Sequence, residues 1–90
     1  MLLEVFSIYD SGINDFVAPF FLHHVGEAKR GFVEVCRDPK GKLNKYPHDY
    51  SLHHLGQYDS SKGVFTNFVA PVHIMSANEA LLMIRQESSL

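Results

Sequence analysis

The chain has a single cysteine, Cys36, so no disulfide can close within it. No stretch approaches the ~20 consecutive apolar residues that cross a bilayer. The opening MLLEVFSIYD has no basic region ahead of a long apolar run, so no secretory leader is expected. These absences exclude a disulfide scaffold and an inserted helix, and a cytoplasmic setting is the simplest expectation. Chemical signatures are missing too: there is no HxH, HExxH or Cys-rich zinc spacing, no Gly-rich phosphate loop, no paired-carboxylate signature and no GxSxG elbow. No enzyme activity, no cofactor and no metal are therefore expected. Charge of one sign is not in large excess either. Eight Lys and Arg stand against ten Asp and Glu, and a formal charge of −2 argues against bulk attraction to nucleic acid.

What is present is a folding composition: 46 % hydrophobic and 20 % charged residues, without a low-complexity run. A single domain over residues 1–90 is expected, with a small core, since chains of this size bury only roughly 60–70 % of their unfolded surface. Residues 2–9 are rich in β-branched and aromatic side chains, and Asp10-Ser11-Gly12 and Asn14-Asp15 supply turns before an apolar run at 16–22. This pattern predicts a hairpin. A second hairpin is predicted from 50–58 and 64–70 around Asp59-Ser60-Ser61-Lys62-Gly63, with Pro71 ending or edging the strand.

Between the hairpins, Val25, Ala28, Phe32, Val35 and Cys36 recur at helical spacing, with Glu27, Arg30, Glu34 and Arg37 on the other side, predicting an amphipathic helix over 26–37. Gly31 inside it costs about 1 kcal/mol relative to Ala. Residues 38–47 read as an exposed loop. Ser76 and Glu79 form a capping box ahead of the stripe Ala77, Ala80, Leu81 and Ile84, predicting a helix over 77–87. The order ββ-α-ββ-α implies an α+β fold, an antiparallel sheet of two hairpins with helices on one face.

Two stretches share a beginning and an ending: Tyr9-Asp10-Ser11 leads to Phe16-Val17-Ala18-Pro19, and Tyr58-Asp59-Ser60 leads to Phe68-Val69-Ala70-Pro71. The spacings differ, and Asp and Ser at a strand end readily bond nearby backbone, so the pair reads as repeated turn chemistry or an old hairpin duplication. Neither implies a duplicated site. The histidines His23-His24, His48, His53-His54 and His73 are plentiful, but neighbours on a strand point to opposite faces, so each adjacent pair gives at most one ligand to a given face, and a shared site would need histidines of different hairpins to meet across neighbouring strands. Cys36 lies on the predicted apolar helix face and reads as a core residue rather than a nucleophile.

The remaining candidate is a basic span. Six of the eight basic residues, Lys29, Arg30, Arg37, Lys40, Lys42 and Lys45, lie together against Glu27, Glu34 and Asp38, while the rest of the chain is acidic. Its helical part can neutralise itself through pairs three or four residues apart. Its loop part has only Asp38 beside it, and Tyr46 follows directly, the mix of cations and an aromatic that suits single-stranded nucleic acid. A solvated basic loop is the competing reading.

The motifs Phe6-Ser7-Ile8-Tyr9-Asp10, Pro19-Phe20-Phe21, Gly26-Glu27-Ala28 with Arg30 and Phe32, Pro47 with Asp49-Tyr50 and Leu52, and Leu55-Gly56-Gln57-Tyr58-Asp59 with Gly63 and Phe65 occur in an ordered series. Over residues 3–68 this series resembles the small non-structural protein of gokushovirus-type microviruses, which are bacteriophages with single-stranded DNA genomes. The C-terminal helix lies outside the resemblance, and Lys29 stands where an apolar residue is expected beside Ala28. The resemblance implies a protein made in the host bacterial cytoplasm, absent from the virion and likened to the microvirus C protein. That protein is associated with DNA binding and with the switch to synthesis and packaging of single-stranded genomes. The expected function is thus a DNA-binding accessory protein. The alternative is an adaptor that contacts a replication initiator, a host factor or the procapsid. The small core and apolar strands add the expectation of a homo-oligomer, a dimer first.

Overall fold

The computed structural model describes residues 1–88. Its elements are β1 (Leu2–Asp10), β2 (Asp15–Phe16), β3 (Phe20–Leu22), α1 (Val25–Arg37), α2 (Lys42–Lys45), β4 (Tyr50–Asp59), β5 (Val64–Ser76) and α3 (Ala77–Ser88). The fold is α+β, with a curled antiparallel sheet in the order β2-β1-β4-β5 and β3 also paired to β1. Both expected hairpins form. What joins them into one sheet is a long central ladder in which β1 runs against β4 from Leu2↔Asp59 to Asp10↔Tyr50.

One proline-linked expectation is corrected, and the other is met in one of its two forms. The strand expected over 16–22 is broken into β2 and β3, so the chain departs from ββ-α-ββ-α. At the break the Val17 backbone N–H donates to the Ile8 carbonyl at 2.9 Å, the Ser7 hydroxyl donates to the Val17 carbonyl at 2.7 Å, and Pro19 has no N–H to give a ladder. Pro71, in contrast, does not end its strand but edges it, since β5 is the outermost strand of the sheet. β5 continues to Ser76, and the register passes from Gly56↔Asn67 to His54↔Val72. Leu55 alone therefore stands opposite the excursion at 68–71, where a missing donor costs nothing. Gly56 makes the close approach beside it possible. Its φ is +156°, and a Cβ there would sit 2.4 Å from the Thr66 carbonyl oxygen.

The core gathers Phe6, Tyr50, Leu52 and Met75 from the sheet with Ala28, Phe32, Val33 and Cys36 from α1 and Ala77 and Ala80 from α3. Burying a side chain such as Phe6 or Leu52 stabilises the fold by roughly 1.5–3 kcal/mol. α1 begins one residue earlier than expected, and its inward stripe is Ala28, Phe32, Val33 and Cys36, whereas Val35 is 51 % exposed. His24 is its N-cap, accepting from the Glu27 N–H at Nδ1. The expected loop at 38–47 holds the one-turn α2. There Leu43 packs against the core and the Asn44 side-chain amide donates to the Cys36 carbonyl at 2.9 Å, so the segment is anchored rather than free. The capping box is present in both directions: the Glu79 N–H donates to the Ser76 hydroxyl at 3.1 Å, and the Ser76 N–H to the Glu79 carboxylate at 3.2 Å.

Both Tyr-Asp-Ser stretches make the same turn. The Asp10 carboxylate accepts from the Gly12 N–H at 2.9 Å, and the Asp59 carboxylate from the Ser61 N–H at 3.0 Å. The likeness between the two stretches is Asx-turn chemistry.

Candidate nucleic-acid interface

The basic span is divided by the fold. Lys29 and Arg30 are exposed on α1, and with Arg37, Glu34, Met83 and Glu87 they line a cleft of about 440 Å³ between α1 and α3. Lys40, Lys42 and Lys45 surround α2, all exposed, and Tyr46 beside them is 56 % exposed. These lysines do not line the cleft. The span therefore forms two neighbouring groups of cations, one on the helix and one on the connection that leaves it.

Their electrostatics differ. The Arg37 guanidinium donates to both Glu87 and Glu34, the latter at 2.9 Å. Those hydrogen bonds, Glu87 first, hold its pKa above the ordinary guanidinium value. Arg37 is thus occupied, as helical spacing leads one to expect for its partner Glu34; Glu87, fifty residues away, is a partner that sequence spacing does not reveal. Among the described residues, Lys29, Arg30, Lys40, Lys42 and Lys45 make no ion pair, and Asp38 spends its carboxylate on the Lys40 backbone N–H at 3.0 Å. Five cations and one exposed tyrosine are therefore free to meet an anion.

The histidines are spread. His53 and His54 project from opposite sides of β4, as strand geometry requires. His54 stacks on Phe6 with ring centroids 4.7 Å apart and bonds Glu4 at 2.9 Å, while His53 meets Tyr9, Phe16 and His73 on the other side. Burial and the nearby His73 charge lower the His53 pKa. Among the described residues no three His, Cys, Asp or Glu side chains converge to hold a metal ion. Cys36 is fully buried, and desolvation pushes its thiol up to about 11, which disfavours the thiolate that nucleophilic chemistry needs.

One feature was not read from the sequence. On the side of the sheet away from Phe6 and Leu52, Phe21, Tyr58 and Phe65 touch one another at centroid distances of 4.7 to 6.1 Å, and Tyr9 meets Phe16 at 4.9 Å. Val5 and Ser7 lie buried between these groups. The side chains of this surface carry no Lys, Arg, Asp or Glu at the registered positions of β1, β2, β3 and β4. Each of β1, β2, β3, β4 and β5 gives one Tyr or Phe to this surface, so no alternation of aromatics along a strand announces it.

No curated protein and no solved structure is recognisably similar to this chain. The sequence profile of the family described as Phage ORF5 protein matches residues 3–80, further than the 3–68 over which the motif resemblance runs and into the first turn of α3. With nearly the whole described fold inside that match, the chain belongs to the phage ORF5 protein family.

Proposed function

We propose that this ORF5 protein is a non-enzymatic phage accessory protein that binds DNA, preferentially single-stranded, during viral genome synthesis or packaging in the host cytoplasm of a microvirus infection. The observation that carries this reading is the set of unpaired cations Lys29, Arg30, Lys40, Lys42 and Lys45 with exposed Tyr46 among them. A net-negative protein holds an anionic polymer only where its positive charges are gathered, and the helix and the connection after it gather them. Arg37 plays a smaller part than its sequence position implies, because Glu34 and Glu87 already neutralise it. Phosphates would be met by the lysines, and a base reaching Tyr46 would add stacking of about 1–3 kcal/mol.

The test is a mobility-shift titration with labelled single-stranded and duplex DNA. Changing Lys40, Lys42 and Lys45 together to Glu is expected to abolish binding with the fold intact, since all three side chains are exposed. Binding that survives this change with the same salt dependence would place the site elsewhere. Absence of binding by the unmodified protein at low salt favours the second reading, an adaptor for a replication, host or procapsid protein, for which the uncharged aromatic surface of the sheet is the supporting observation.

A further inference from the structure

We propose that β5 is the surface through which two copies of this chain pair, edge to edge, about a two-fold axis passing through Thr66. β5 is the last strand in the order β2-β1-β4-β5, with β4 on one side and no strand among the described residues on the other. Residues 64–73 are exposed throughout, and no Asp, Glu, Lys or Arg occurs between Val64 and Ser76. Natural edge strands are commonly blunted by charge, and this one is not. Val64 is 52 % and Phe65 53 % exposed on it. The opposite edge of the sheet is already blunt, because β2 has two residues and β3 three, with the break between them. One open edge per chain means that pairing closes at two copies and cannot run on as a filament.

Geometry selects the same strand of a second copy as the occupant. The Thr66 carbonyl turns toward β4, where it would lie 2.4 Å from a Cβ on Gly56. By the alternation of an antiparallel ladder, Phe65 and Asn67 then turn their backbone N–H and C=O groups outward. A two-fold through Thr66 sets Phe65 opposite Asn67 of the second copy, and Asn67 opposite its Phe65, each pair exchanging two hydrogen bonds. Thr66 meets Thr66 in the close, non-hydrogen-bonded position, a favourable cross-strand pair. Near a two-fold axis any charge faces its own kind, so a strand without charge is suited to self-pairing, whereas it offers no charge pattern to recognise an unlike strand. The excursion at 68–71 ends the pairing on each side.

A Thr66→Cys variant tests the register. Cys36 is buried with its thiol pushed up to about 11, so the introduced thiol is the reactive one. Mild oxidation is expected to give a covalent dimer, since cross-strand Cβ atoms in such a pair lie about 4.5–5.5 Å apart, close to disulfide reach. A Ser60→Cys control in the turn is expected to stay uncrosslinked. Sedimentation of the unmodified protein at tens of micromolar should give a dimer, and Val64→Lys with Thr66→Lys a monomer with an unchanged circular dichroism spectrum. A monomeric unmodified protein, a dimer that survives both lysines, or crosslinking at Ser60 in place of Thr66 would each overturn the proposal. Should the lysine variant fail to fold, the two cysteine variants still decide. None of these readouts depends on DNA binding.

Discussion

His53 has a buried Nδ1 with no hydrogen-bond partner, while its Nε2 lies 2.8 Å from the Ser51 hydroxyl. The neutral ring tolerates this, with Nδ1 as a bare acceptor, but an imidazolium would leave a buried N–H unmet. Burial, with His73 adding repulsion, lowers its pKa below the ordinary 6.5. The unfolded chain thus takes up a proton that the native state refuses. Stability is complete above about 6.5 and falls as pH drops from there toward the lower native value. Thermal melts between pH 7.5 and 5.5 should show this slope, and His53→Gln should flatten it; an unchanged slope would move its origin to another group. Gly31 is the second residue whose consequence is direct. A Cβ there would meet nothing within 4 Å. No close packing requires the glycine, so Gly31→Ala is expected to stabilise the protein by about 0.5–1 kcal/mol, raising Tm by several degrees. A lower Tm would mean that the helix needs the gap.

At the scale of elements, α3 depends on its start. The capping box satisfies two backbone donors at once, and the Ser76 N–H, with His73 also contributing, lowers the Glu79 pKa. Ser76→Ala is expected to cost about 1 kcal/mol, measured by urea unfolding, and to weaken the Arg37 contact to Glu87 in the last turns of the helix. This helix was legible because Ser and Glu three residues apart ahead of an apolar stripe have one local meaning. α1 was legible for the same reason, its period being local. The places where element reading failed are those where distant backbone decides. Nothing in 16–22 announces that Ser7 will take the Val17 carbonyl, and nothing around Pro71 announces that Leu55 will stand opposite a wide excursion. α2 escaped because a single turn held by Asn44 to Cys36 and by Leu43 in the core has no periodicity to read.

For the whole molecule, the basic span was visible as a count along the chain, but its division was not, because Glu87 reaches Arg37 only after the chain has folded back. The reverse-side aromatics were hidden likewise, since Phe21 meets Phe65 across a curled sheet rather than along a strand. If three or four phosphates are neutralised per copy, the logarithmic salt slope for single-stranded DNA should be roughly −2 to −3 for each copy engaged. A slope near zero in a binding titration would remove phosphate contacts from the account.

The central ladder between β1 and β4 also sets an order in time. At roughly 5–20 residues per second of synthesis, β1 is made seconds before its main partner, and meanwhile only the short β2 and β3 can shelter one side of it. That ladder cannot be completed until Asp59 has emerged. Uncharged β5 comes next, directly after the strand that will hold it, so the segment with the greatest tendency to stick to other nascent chains spends the least time waiting for its own partner.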